Sequence, residues 1–409
     1  MAEVPGVIVP VVAIGDIGVL DGMIHLGDEA MFESCVDRMR ERGVERIVAV
    51  SAQPSESARR YGIQAVQRIG FAGQDRAAAQ ERMQRVIRTA SGEPGLLPAG
   101  DPAHAVIAAV RDCDGVVICG GGNLSSLWPA HILERATLGE LARLARVPLV
   151  VSGQTIGPEL VEADRRLVRE LLSSAALVGL REARSLQLCR SLGVPAELLH
   201  RCVDDASFLV DEDAALSESG AERYCLVSLA GHVGSADREA VAAAIARLLD
   251  GISTDLGLRI VFLAHFAALD PAAVRGDSLM QQRVRDRMTA RSTVQPTTDP
   301  VAAARLARAA AFVVSSRYHP VVFAVPAGVP AIGISVDRYT DTKLRGALEN
   351  FGQSSLLPVS ELVAGGGPAL VERSWADRDR SRAQAMTIAA AARRDSGLWW
   401  DRVAATVRA

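Results

Sequence analysis

The chain has no apolar run long enough to span a membrane. The longest, such as Val7 to Ile14, fall far short of the roughly 20 residues a spanning helix needs, and no basic segment precedes them. A cytoplasmic protein is expected. Its six cysteines are scattered through apolar segments without a CxxC pair, and its seven histidines form no HxH or HExxH pattern. Reduced buried thiols follow, with no disulfide framework and no structural metal. The net charge is only −3, with acids and bases interspersed, so there is no basic footprint for nucleic acid and no polybasic membrane patch. Any positive patch must be local. No repeat at the periods of solenoids is evident either.

What is there is length and apolar content. A chain of 409 residues, 49% of them hydrophobic, exceeds what a single core organises, so two domains are expected. Short apolar runs that read as buried strands alternate with periodic helical segments. They recur at 7–15, 46–51, 115–119, 148–152, 176–180, 225–230, 258–264 and 331–335. That rhythm predicts an α/β fold of two doubly wound, Rossmann-like domains facing a cleft. The expected boundaries are 1–210, then an acidic linker at Asp211 to Gly220, then 221–370. Helices at 375–392 and 398–408 would pack back on the body from a tail at 371–409.

The stretch that organises the rest is Phe312 to Lys343. An apolar run, Phe312 to Val314, passes through Ser315 and Ser316 to Arg317 and His319, and Pro320 marks the hand-over from strand to helix. Read as extended chain, Arg317 and His319 share one side, at a helix N-terminus that favours anions. Lys343 follows on a helix expected to begin near Thr340.

In the first half, the strand at 115–119 runs into Gly120, Gly121, Gly122 and Asn123, an arrangement that lets backbone N–H groups approach a ligand or simply makes a tight crossover. No Lys-Ser/Thr pair follows, so it is not a P-loop. Residues 153–158, with Gln154, read as a polar turn, and Arg181 sits where the next strand ends. Asp28 and Glu29 open a helix running to about Arg42.

Together, HLGDEAM (His25 to Met31), VVICGGGNLSSL, SGQTIGP, LREARSLQLCRSLGV, CVDDASF, SSRYHPVVFAVPAGVPAIGIS and the lysine of YTDTK resemble the polysaccharide pyruvyl transferase family. The match runs over most of residues 10 to 355, in the family's order. It implies a fold similar to the GT-B glycosyltransferases, phosphoenolpyruvate as donor and no cofactor. The implied acceptor is a sugar or glycan, free or lipid-linked, and the product a pyruvate ketal bridging two hydroxyls. By motif, the family's acidic position falls on Asp28, its first arginine on Arg181, its arginine and histidine on Arg317 and His319, and its lysine on Lys343. Gly121, Gly122, Asn123, Gln154 and Ser316 are further candidate substrate contacts. The segment between the first strand and the GDE motif departs from the family's shorter one, which leaves the acceptor open, as is a homo-oligomeric state.

Ketal formation from an enol phosphate needs a proton at C3 so that a hydroxyl can attack C2. His319 suits that acid role, since imidazole titrates near neutrality and such catalysis contributes about 10² to 10⁴ in rate. The bland reading is a helix-capping histidine. Arg317, Arg181 and Lys343 would meet the donor's carboxylate and phosphate, the arginines by paired hydrogen bonds. Asp28 would take the hydroxyl proton or hold the hydroxyl, unless it is an ordinary helix-start acid. Asp204, Asp205 and His265 are further candidates, and Trp399 and Trp400 read as packing anchors. The alternatives are a nucleotide-sugar glycosyltransferase of GT-B type and a non-catalytic glycan or nucleotide binder. A binder would have no use for a proton donor among three cations.

Overall fold

Val11, Val12, Ala13 and Ile14 are all buried, yet they serve two cores. Val12 and Ile14 face one side of a sheet and Val11 and Ala13 the other. Strands covered on both faces read as continuous apolar runs, which is the signature of a parallel sheet sandwiched between helices. The computed structural model describes residues 10–210 and 223–408. Val7 to Val9 of the expected first strand, and the expected linker Asp211 to Gly220, lie outside the described residues.

In chain order the first nine strands are β1 (Val11–Ile14), β2 (Met23–His25), β3 (Ile47–Ser51), β4 (Gln64–Gln67), β5 (Gly115–Ile118), β6 (Gly121–Leu124), β7 (Leu149–Ile156), β8 (Leu177–Leu180) and β9 (Leu199–Arg201). All but β2 form a parallel sheet in the order β4-β3-β1-β5-β7-β8-β9, with β6 beside β7. The remaining strands are β10 (Tyr224–Ser228), β11 (Arg259–Leu263), β12 (Phe266–Ala268), β13 (Ser292–Gln295), β14 (Phe312–Ser315), β15 (Ala331–Ser335) and β16 (Leu356–Pro358). Six of them form a second parallel sheet, β13-β11-β10-β14-β15-β16. Both sheets are wound in two directions from a central strand, giving two Rossmann-like units. In such sheets ligands settle outside the carboxyl ends of the strands, where the winding reverses. The reversal falls between β1 and β5 in the first sheet and between β10 and β14 in the second.

The division of the chain differs from the expected boundaries in three places, one being that residues 203–210, expected in the first domain, fall in the second unit. One unit holds the chain up to Val19, Met31–Cys202 and the end from Ser396; the other holds Leu20–Ala30 and Val203–Asp395. Leu20–Ala30 was expected in the first domain, but β2 pairs antiparallel with β12, and Leu26 N donates to the His265 carbonyl at 2.9 Å. The GDE motif therefore belongs to the second unit.

The tail differs too. Its helices are Gly367–Ala376 and Arg378–Thr406, the second running without a break through Gly397, where an added side chain would meet only open space. Its last turns bury Trp399, Trp400 and Val403 in the first unit's core, with Val407 just beyond them, and the Trp399 indole donates to Ser152 Oγ at 2.9 Å.

Two further expectations are corrected by β7. Residues 153–156 continue the strand where a polar turn was expected, because a register shift between Val151 and Gln154 absorbs Gly153, whose φ is 55°. Likewise Gly121 and Gly122 lie in a strand, β6, paired to β7. All six cysteines are free.

Candidate active site

At the reversal point of the second sheet, β10 ends at Ser228 and β14 at Ser315. The Ser315 hydroxyl accepts from the Arg317 amide at 3.0 Å, and the Ser316 hydroxyl accepts from the Ala230 amide at 2.8 Å. These hydroxyls occupy backbone groups that the sheet has left behind, and so fix the turn. The following helix is Tyr318–Ala324, with Arg317 as its N-cap residue. It begins two residues before Pro320, so Arg317 and His319 do not share a side by strand alternation as expected. Proline is compatible with the whole first turn of a helix and does not mark its first residue.

Arg317 turns to Asp277, its Nε donating to Oδ2 at 2.7 Å and its Nη2 to Oδ1. Asp277 is buried and also accepts from the Phe266 amide at 2.9 Å. One edge of the guanidinium is therefore spent on an internal carboxylate, and the end formed by Nη1 and the second N–H of Nη2 is what remains for a ligand.

His319 is buried between the rings of Tyr318 and Phe323, with centroids at 5.1 and 5.8 Å. Its Nε2 lies 3.9 Å from Asp204 Oδ2, an ion-pair distance for the protonated ring. Its other edge is pressed against Gly27: a Cβ there would sit 1.8 Å from Nδ1. The glycine of the GDE motif is thus required by the histidine of the SSRYH motif, nearly three hundred residues away. Two residues earlier, His25 stacks on Phe266 at 5.4 Å, and its Nδ1 lies 3.0 Å from Asp28 Oδ2, off the line of a hydrogen bond.

Lys343 lies on the helix Arg338–Glu349, which a capping box of Asp337 and Thr340 starts. Its ammonium sits over the rings of Tyr318 and Tyr339, at 5.0 and 4.7 Å, and donates to the Tyr339 hydroxyl at 3.2 Å. Tyr318 therefore links Lys343 to His319. Lys343 is also the only lysine in the sequence, against 44 arginines. An ordinary solvated helix position would not single out the ammonium in a chain that otherwise uses guanidinium throughout.

His265, after β11, is buried with Nδ1 2.9 Å from Ser228 Oγ. Burial, with the charges of Arg317 and His25, pushes its pKa down to about 3. The unfolded chain titrates near 6.5 and so binds the proton first as pH falls. Stability conferred by the neutral ring is full above 6.5 and declines by about 1.4 kcal/mol per pH unit toward 3. Urea unfolding between pH 6.5 and 5 should show this slope in the native protein and lose about 2 kcal/mol of it in His265→Gln. Equal slopes in the two proteins would show that His265 is not held neutral.

Five further sequence candidates, Arg181, Gln154, Gly121, Gly122 and Asn123, lie in the first unit. Arg181 is fully buried. Its Nε donates to Thr155 Oγ1 at 2.8 Å and Glu182 Oε1 at 3.1 Å, and its Nη1 points at Met31 Sδ, 3.2 Å away. Gln154 is buried in β7 with Nε2 donating to the Cys119 carbonyl, and Gly121 leaves room for that amide. Asn123, within β6, is half-buried. The second unit thus gathers Asp28, Arg317, His319, Lys343 and Ser316, while Arg181, Gly121, Gly122, Asn123 and Gln154 belong to the first. Sequence reasoning missed Asp277 and His25. No spacing signals the first; the second carries the i, i+3 relation to Asp28 at a helix start.

A family model for polysaccharide pyruvyl transferase matches residues 25–338. The chain belongs to that family. The match includes the GDE segment, the glycine turn, Arg181, Arg317 and His319, and stops before Lys343. No curated protein matches the chain in sequence. Among solved structures, the S. aureus MnaA–UDP complex shares 14% identity at a TM-score of 0.57, covering 91% of this chain and 90% of its own. The UDP-GlcNAc 2-epimerase from Neisseria meningitidis, bound to UDP-GlcNAc, shares 11% at 0.55, covering 92% and 94%. The calicheamicin glycosyltransferase CalG4 shares 15% at 0.55, covering 98% of each chain. At such identities the likeness is one of fold, and the fold is that of GT-B-like glycosyltransferases and epimerases. Among the described residues no group of histidine, cysteine and carboxylate side chains could hold a metal ion, and no helix is long and apolar enough to cross a membrane.

Proposed function

We propose that the protein is a cytoplasmic ketal pyruvyltransferase, moving the pyruvyl group of phosphoenolpyruvate onto two hydroxyls of a sugar or glycan. The observation that supports this reading is the packing of Gly27 on the His319 ring, which sets the segment carrying Asp28 against the histidine of the other motif. His319 delivers a proton to C3 of the enol phosphate, making C2 electrophilic. Asp28, beside His25, takes the proton of the first attacking hydroxyl. Phosphate then leaves C2, the second hydroxyl closes the ketal, and that hydroxyl's proton leaves with phosphate. Lys343 and the remaining edge of Arg317 face the donor's negative groups.

A nucleotide-sugar reaction would instead ask Arg317 and Lys343 to hold a diphosphate, with Arg317 offering the edge that Asp277 leaves open. Thermal unfolding separates the two donors. Phosphoenolpyruvate should raise the unfolding temperature and UDP-glucose should not. Lys343→Arg should need about tenfold more phosphoenolpyruvate for the same protection, since a guanidinium stacked flat on a tyrosine ring spreads the charge that the ammonium concentrates at one point. Protection by UDP-glucose alone would sink the reading.

A further inference from the structure

The first unit has its own reversal point, between β1 and β5, and a second group of side chains gathers there. Asp16 follows β1, Arg68 follows β4, and His131 and Arg135 lie on the helix Pro129–Ala145. One oxygen of Asp16, Oδ1, takes Nη2 of Arg68 and Nη2 of Arg135, each at 3.0 Å, and lies 3.0 Å from His131 Nδ1. The other oxygen, Oδ2, takes none of them. Arg135 Nη1 also reaches His131 Nδ1 at 2.9 Å and Glu134 Oε2 at 3.2 Å, so His131 has only Nε2 left for another partner.

Burial alone would raise the pKa of Asp16, but Arg135, His131 and Arg68 outweigh it and hold the carboxyl well below its usual value. Beside His131, at 6.5 Å and edge-on, stands Trp128, 46% exposed although most large apolar side chains of the chain are buried.

The charges decide the ligand class. Asp16 and Glu134 balance Arg68 and Arg135 in charge: Arg135 gives Nη2 to Asp16 and Nη1 to Glu134, and Arg68 gives Nη2 to Asp16 while its Nε is buried without a hydrogen-bond partner. A phosphate or uronate would meet an ionised carboxylate whose charge, with that of Glu134, already offsets the two guanidiniums. A neutral polyol meets the opposite situation: a fixed acceptor, an imidazole nitrogen that can give or take a proton, and an exposed indole.

We propose that this group of side chains holds a neutral pyranose of the acceptor, its C–H face on Trp128 and two adjacent hydroxyls on Asp16 Oδ2 and His131 Nε2. The proposal deepens the pyruvyltransferase reading and rests on it for the word acceptor.

Saturation-transfer NMR with the methyl glycosides of glucose, galactose, mannose and N-acetylglucosamine, and with methyl glucuronide and UDP as charged probes, tests it on the full chain. Transfer to at least one neutral glycoside is expected, with neither charged probe competing for it. Binding should be at least about tenfold weaker in Trp128→Ala and in His131→Gln. Trp128 is exposed, so the first variant should unfold at the native temperature. No transfer to any neutral glycoside, transfer unchanged in Trp128→Ala, or displacement by the glucuronide or UDP would overturn the proposal. Protection of the same Trp128→Ala protein by phosphoenolpyruvate reads the donor separately: its loss in native and variant protein alike would strike the pyruvyltransferase reading and leave the glycoside result standing.

Discussion

Gly27→Ala should remove product formation as thoroughly as His319→Ala does, by about 10² to 10⁴, although residue 27 carries no chemistry of its own. The new methyl would stand 1.8 Å from Nδ1 and 2.4 Å from Cε1 of the imidazole. The backbone cannot yield easily, because Leu26 N is bonded to the His265 carbonyl and His25 is paired with Phe266 across the β2–β12 ladder. The ring must move instead, between Tyr318 and Phe323, and an acid displaced by an ångström loses most of its catalytic value. The readout is the amount of pyruvylated glycan, by mass spectrometry, in cells carrying each variant as sole copy. Alanine is a good helix former, so stability should suffer less than activity. Native product levels from Gly27→Ala would show that His319 is not positioned by the GDE segment.

Arg181→Ala should instead strike stability, by about 3–5 kcal/mol in urea unfolding. The reason is what it leaves behind: Glu182 is fully buried, and the Arg181 Nε–Oε1 contact at 3.1 Å sets a cation beside its charge. Thr155 Oγ1 and Ser185 Oγ also donate to Glu182, at 2.5 and 2.9 Å, but hydroxyl dipoles do not offset a net charge in an apolar interior. Pairing the change with Glu182→Gln removes the orphaned charge and should restore most of the loss. The family motif implies a different role, an arginine on the donor. If Arg181→Ala unfolds like the native protein but is no longer protected by phosphoenolpyruvate, the donor role is right and the structural one wrong.

These two residues mark where the sequence was legible and where it was not. The doubly wound architecture could be read because strands buried on both faces leave runs such as Val116 to Ile118 with no polar interruption. Residues 23–25 and 266–268 left no such trace: three-residue strands, each paired with a segment far along the chain, have no period to detect. Their pairing carries the GDE motif into the second unit. Gly153 and Pro320 misled for a related reason. Glycine is compatible with a bulge inside a strand as well as with a turn, and proline with the second or third residue of a helix as well as the first.

At the site, residue types were readable and partners were not. Nothing near Arg317 announces that Asp277, forty residues earlier, will occupy its fork. Lys343 is the opposite case, since a count of one lysine in 409 residues was present in the sequence from the start.

We propose that a pyruvyl group, and not a glycosyl group, is transferred by this protein. Purified protein incubated with isotope-labelled phosphoenolpyruvate and a glycan extract of the cells that make it should place label on the glycan and release inorganic phosphate in equal amount, and His319→Ala should do neither. Label incorporated only from a UDP-sugar, with phosphoenolpyruvate left intact, would contradict the account.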